Sequence, residues 1–259
     1  MALVRCDFFS DVLGFSTSMT VVLPQRTTGQ IGMSGSGRDG DLPTLFLLHG
    51  LSDDDTVWTR RTSIERYVAD LGIAVVMPQV HRSFYADEVW GRPYWTFVAE
   101  ELPAIARSFF RLSSDPAETY VAGLSMGGYG AFKLALRHPS RFGAAASLSG
   151  VLDLGDRMRT MTSEVDPLMW RRVFGDDPFD GGDNDLLALL DQVTDPPPLF
   201  QWCGTEDPLY AGNVRFRDAC AERDIPLTSQ FSAGTHDWSH WDDKIRDVLA
   251  WLPLPSVRP

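Results

Sequence analysis

The chain has 259 residues, 44% apolar and 22% charged, with a net charge of −12. That is a globular composition, long enough to bury a large core without disulfide or metal staples. The negative field repels polyanions, so nucleic acid and anionic membrane surfaces are excluded as partners.

Strand-like and helical runs alternate along the chain. "TSMTVVLP" (17–24) reads as an early strand in an N-terminal hairpin, and the Gly-rich stretch 27–41 as a flexible loop. "PTLFLLHG" (43–50) is a short apolar run closed by Gly50, a buried strand. A helix is expected over 59–71, with Ile64, Tyr67, Val68 and Leu71 on one face. "IAVVMPQV" (73–80) is the next strand. Residues 94–110 have helical period, with Pro103 expected to kink or break the helix. A strand over 118–123 runs into a helix over 126–138 that Pro139 ends, and a strand follows over 142–150. Residues 151–195 break the rhythm and read as a lid-like insertion. The sheet resumes at 198–204. A helix (212–223), a strand (227–234) and a last helix (240–252) complete the chain. The pattern predicts one α/β domain over 1–259, with a mostly parallel sheet flanked by helices.

The three cysteines, Cys6, Cys203 and Cys220, have neither disulfide-framework nor zinc spacing. The first residues, "MALVRCDFFSDVLG", lack the apolar core of a signal peptide, and every apolar run is too short for a membrane span. A reducing cytoplasm is the expected compartment. The acid-rich stretch 176–185 lacks the ligand spacing of a calcium loop, so no metal is expected.

"YVAGLSMGGYGAF" (120–132) places Ser125 where a strand turns into a helix. Gly-x-Ser-x-Gly in that setting is a nucleophile elbow, with the serine on a strained, exposed turn. A serine needs a base, and the base needs an orienting acid, each on a loop after a later strand. His236 in "SAGTHDW" follows the last strand, and His240 lies at the rim. "CGTEDPLY" offers Asp207 as the acid, with Glu206 as the alternative. The N–H groups of Met126 and of Leu51 in "HGLSDDD" are the expected oxyanion donors. His49 is expected to hold that loop in shape. The aspartates 53–55 are expected to be exposed, one of them capping the next helix. Trp58, Tyr85, Trp90 and Trp238 are candidates for the substrate pocket.

The segments "LFLLHGLS", "VWTRRTSIER", "VVMP", "AEELP", "VAGLSMGGYGAFKLAL", "WCGTEDPLY" and "SAGTHDWSHW" occur in this order over about residues 45–241. With them the chain resembles the tributyrin-esterase branch of the esterase D / S-formylglutathione hydrolase family of α/β-hydrolases. The resemblance implies a cytoplasmic, cofactor-free carboxylesterase for short acyl esters, often a homo-oligomer, with Ser125, Asp207 and His236 as its triad. It leaves feruloyl-ester and thioester hydrolysis as alternatives, and a non-catalytic binding protein as the rival from another class. The loop 27–41 and the stretch 151–195 match none of these motifs.

Overall fold

The computed structural model describes residues 1–29, 31–32, 35–160, 167–176 and 182–256. Among these residues one eight-stranded sheet runs in the order β1-β2-β4-β3-β5-β6-β7-β8. β1 (Ala2–Ser10) and β2 (Phe15–Leu23) form the N-terminal hairpin, and β2 pairs antiparallel with β4 (Ala74–Pro78). From β4 onward the sheet is parallel: β3 (Thr44–Leu48), β5 (Thr119–Leu124), β6 (Ala144–Leu148), β7 (Leu199–Gly204) and β8 (Leu227–Ser232). β3 to β7 are buried at every position, as strands covered on both faces must be. β8, an edge strand, alternates partly buried and exposed residues.

Helices cover both faces. Against one lie α1 (Val57–Arg61), α2 (Ile64–Val68) and α10 (Trp238–Trp251), which bring Trp58, Ile64, Trp241 and Ile245 into one core cluster. The other face is covered by α3 (Tyr94–Thr96), α4 (Leu102–Phe109), α5 (Met126–Arg137), α8 (Leu186–Leu190) and α9 (Tyr210–Glu222). The stretch between β6 and β7 carries α6 (Leu154–Thr160), α7 (Pro167–Phe174) and α8. Trp170 of α7 packs on Phe84, 4.7 Å between ring centroids, so α7 is seated on the loop after β4. Among the described residues no helix is long and apolar enough to cross a membrane.

One helical expectation is corrected, and a second takes a specific form. The helix expected over 59–71 is broken after Arg61, where Thr62 turns extended. Asp242 of α10 accepts hydrogen bonds from the Ser63 N–H (3.1 Å) and the Tyr67 hydroxyl (2.9 Å), and that distant partner resets the register. Of the kink or break expected at Pro103, residues 94–109 show no break in the helix but an irregular turn. A π-turn over Phe97–Glu101 precedes the proline, which sits in the first turn of α4. Pro103 has no N–H for the Ala99 carbonyl four residues back; Arg141 Nη1 donates to it instead, at 2.9 Å. The acid-rich stretch lies partly outside the described residues, at 177–181, while Asp185 caps α8.

α5 buries a lysine. Lys133 Nζ donates to the Tyr85 carbonyl (2.8 Å) and Asn184 Oδ1 (2.6 Å) and faces the Trp95 ring at 4.7 Å. Burial, and then the Arg137 charge, bring its pKa down to about 7. The folded value lies below that of the unfolded chain, so between the two the unfolded chain binds more protons and stability rises with pH. Lys133→Met is expected to remove this slope. Urea titrations from about pH 7 to about pH 10 should show wild type gaining on the variant, by at most about 1.4 kcal/mol per pH unit. A constant difference would mean that Lys133 stays charged in the fold.

Candidate active site

In the strand order, β4 lies on one side of β3 and β5 on the other. Loops leaving the carboxyl ends of β3 and β5 therefore diverge around a crevice, where open α/β sheets place their ligands. Both loops carry predicted site residues.

Ser125 connects β5 directly to α5, with φ 51° and ψ −117°. A non-glycine residue there costs about 1–3 kcal/mol and persists only when its surroundings enforce it. Ser125 N donates to the Leu148 carbonyl at 2.9 Å, and its carbonyl accepts from Tyr129 N (3.1 Å) and Val151 N (3.2 Å). Gly127 is dictated by close approach: a Cβ there would lie 2.5 Å from the Leu48 carbonyl oxygen and 2.7 Å from that of His49. The first turn of α5 thus rests on the backbone that leads into the loop after β3.

His236 Nε2 lies 3.0 Å from Ser125 Oγ, and its Nδ1 lies 2.9 Å from Asp207 Oδ2. Asp207 is 4% exposed, and its second oxygen accepts from Leu209 N at 2.8 Å. Burial works to raise its pKa, but the His236 hydrogen bond and charge, with help from Leu209 N–H and the Ser149 hydroxyl, leave it lowered. Asp207 therefore remains an anion, an acceptor for Nδ1–H. Glu206, the alternative acid, is exposed and turned away: its Oε2 accepts from Gly234 N at 2.6 Å, clamping the loop after β8 to the loop after β7. His240 falls in the first turn of α10, with its ring 5.9 Å from that of Trp202.

The loop carrying Leu51 is held from three sides. His49 is buried; its Nδ1–H donates to the Gly50 carbonyl (2.7 Å) and its Nε2 accepts from Val80 N (3.1 Å). These two partners fix the neutral tautomer, and burial lowers its pKa to match. Trp58 Nε1 donates to the Leu48 carbonyl at 3.1 Å. Asp55, expected to be exposed, is 3% exposed and accepts from the hydroxyls of Ser18 (3.0 Å) and Thr20 (2.8 Å) on β2. Asp54 accepts from Thr56 N at 2.8 Å, just before α1. Among the described residues neither Leu51 N nor Met126 N donates to a backbone carbonyl outside the helices and strands. Met126, first in α5, has no carbonyl four residues back within its own helix.

The aromatic candidates fare differently. Trp58 and Tyr85 are 0% exposed and offer no surface to a ligand. Tyr85 instead donates its hydroxyl to the His49 carbonyl, at 3.0 Å. Trp90 is 69% exposed beside Leu168, Arg171 and Arg172 of α7, and Trp238 packs edge-on against Trp58 and Trp241. None of the four has a ring or hydrogen-bond contact with Ser125, Asp207 or His236 among the described residues. Trp241, which the sequence reading passed over, does: its ring stands edge-on to His236 at 4.8 Å, and its Nε1 donates to Ser149 Oγ at 3.2 Å. Its signal was the second tryptophan of "HDWSHW", one helical turn after Trp238. Among the described residues no cluster of three or more His, Cys, Asp or Glu could hold a metal ion.

The chain as a whole is similar to known proteins. The esterase family model, described as "Putative esterase", matches residues 13–252. Over 99% of its length the chain is 28% identical to an acetyl esterase of Caldicellulosiruptor saccharolyticus, spanning 100% of that protein. FphF, a fluorophosphonate-binding serine hydrolase of Staphylococcus aureus solved with substrate bound, superposes with a TM-score of 0.88 at 32% identity, over 97% of this chain and 98% of that one. An S-formylglutathione hydrolase (FrmB) from the same organism gives a TM-score of 0.85, also at 32% identity, over 97% and 98% of the two chains. The chain belongs to the esterase family, with the α/β-hydrolase fold, and is a carboxylic-ester hydrolase.

Proposed function

We propose that the protein hydrolyses short-chain acyl esters through an acyl-enzyme on Ser125, with His236 as base and Asp207 as the acid that orients it. The observation that carries this reading is the continuous relay from Ser125 Oγ through His236 to Asp207, at 3.0 and 2.9 Å. Asp207 holds the proton on Nδ1, which leaves the Nε2 lone pair facing the serine hydroxyl. Ser125 Oγ attacks the ester carbonyl as Nε2 takes its proton. The Leu51 and Met126 N–H groups receive the oxyanion, each contributing about 3 kcal/mol to the transition state. His236 then protonates the leaving alcohol, and water repeats the sequence to release the acid.

The name of the acetyl esterase relative and the resemblance to the tributyrin-esterase branch both favour a small acyl group. The likeness to FrmB favours, as a second reading, a thioester with a glutathione leaving group. A panel of p-nitrophenyl esters of graded chain length, run beside an S-acylglutathione and methyl ferulate, separates these. We expect kcat/KM to peak at acetyl to butyryl and to fall at least about tenfold for laurate. A preference for the thioester of about tenfold or more would replace the ester reading.

The seating of the oxyanion loop can be tested through Asp55. Asp55→Ala strands the Ser18 and Thr20 hydroxyls and is expected to cost about 1–3 kcal/mol in denaturant unfolding. It should also lower kcat about tenfold, with KM changing less, because a shifted donor is lost chiefly at the transition state. Unchanged kcat would mean that the loop keeps its place without this anchor.

A further inference from the structure

A cavity of about 300 Å³ lies between the sheet, α4 and α5, away from the relay. It is lined at Pro116, Thr119 and Phe142, by the amino ends of β5 and β6, whereas Ser125, Asp207 and His236 follow the carboxyl ends of their strands. Its floor is apolar and deep: Phe46 and Leu48 of β3, Leu102 of α4 and Leu134 of α5 are each at most 5% exposed. The volume is at the lower end for small-molecule sites.

Two arginines stand in its lining. Arg141 is already committed, to the Ala99 carbonyl (2.9 Å) and to Glu100 (3.0 Å). Arg107 is not. Its Nε donates to the Ser113 carbonyl at 3.1 Å, and among the described residues its terminal nitrogens have neither a hydrogen-bond partner nor a carboxylate. Burial, and then the neighbouring Arg141 charge, lower its pKa, the mark of a guanidinium short of counter-charge. In a chain with a net charge of −12, the cavity couples an apolar floor to a lining with two cations, Arg107 and Arg141, and one carboxylate, Glu100.

We propose that this cavity is a second binding site, for a small monocarboxylate with an apolar body. The carboxylate pairs with the free fork of Arg107, and the body lies over Phe46, Leu48 and Leu134. A guanidinium with two unused parallel donors fits a carboxylate, and the apolar floor rejects inorganic anions, which would lose their hydration there for no return. A neutral alcohol of equal length would fill the floor but leave Arg107 unpaired. The claim stands apart from the assignment of Ser125.

The test is calorimetric titration of the whole protein with octanoate, octanol and inorganic phosphate, before and after treatment with a fluorophosphonate. Mass spectrometry reports separately whether Ser125 is labelled. One equivalent of octanoate is expected to bind both forms. Arg107→Gln should weaken it about tenfold or more, and Ala104→Trp, on the exposed face of α4 at the cavity lining, should abolish it. Octanol and phosphate should bind at least about tenfold more weakly than octanoate. No octanoate binding at millimolar concentration, binding indifferent to both substitutions, or octanol binding as tightly as octanoate would each overturn the proposal.

Discussion

Ser125→Ala is expected to lower kcat for p-nitrophenyl butyrate by about 10⁶-fold, roughly 8 kcal/mol of transition-state stabilisation, with KM little changed. The size follows from what is removed. Without Oγ there is no covalent route, and His236 has no hydroxyl 3.0 Å away to deprotonate. What survives is whatever the proposed oxyanion donors, the Leu51 and Met126 N–H groups, do for direct attack by water. His236→Ala should cost nearly as much, and the double variant hardly more than either, because the two residues act as one unit. Stability should change by less than about 1 kcal/mol, since His236 is the side-chain partner of the Ser125 hydroxyl and alanine meets the same backbone geometry. A fluorophosphonate should label wild type and not the variant. If Ser125→Ala kept more than about a thousandth of the activity, the nucleophile would have to be another residue. Ser149 is no candidate, being fully buried and engaged by Trp241.

The relay was legible in the sequence because its requirements are local. A strand, a tight turn and a helix follow one another around Ser125, and Asp207 and His236, the proposed acid and base, each come directly after a strand. The interior strands were equally plain, since burial on both faces leaves unbroken runs of apolar residues. What the sequence concealed depends on partners far away in the chain. Asp55 reads as a surface charge until Ser18 and Thr20 are brought beside it, and the burial of Lys133 rests on Tyr85 and Asn184, some fifty positions away on either side. Helical period ran through Thr62 because nothing nearby announces that Asp242 will take the Ser63 N–H. Pro103 announced a kink or a break, and the helix runs on because the carbonyl it strands is claimed by Arg141. Trp58 and Tyr85, two of the aromatic pocket candidates, are taken up by the core for a related reason. Hydrophobic pattern says that a ring is buried, and not whether protein or ligand covers it, so Trp58 went to the core while Trp241 came to lie against His236.

Asp207→Asn tests the orientation of His236 with almost no change in shape. The carboxylate now has two acceptors in use, one for Leu209 N–H at 2.8 Å and one for His236 Nδ1–H at 2.9 Å. Asparagine has a single carbonyl oxygen. If that oxygen stays on the buried Leu209 N–H, the amide NH₂ faces the imidazole and forces Nδ1 to accept. The proton then moves to Nε2, which points at Ser125 and can no longer take a proton from it. If the oxygen faces His236 instead, the NH₂ group meets Leu209 N–H, two donors against each other in a site that is 4% exposed. The first arrangement costs less, so kcat should fall about 10⁴-fold. Glu206→Gln, which disturbs only the clamp on Gly234, should cost no more than about tenfold. Stability carries a second signature. Because the folded pKa of Asp207 lies below its unfolded value, its stabilisation is complete above the unfolded value and disappears as pH falls through the folded one. The stability difference between wild type and Asp207→Asn should therefore be constant near neutrality and shrink below about pH 4. A kcat loss confined to tenfold, with that pH dependence intact, would leave Asp207 as a structural carboxylate and return the orienting role to another group.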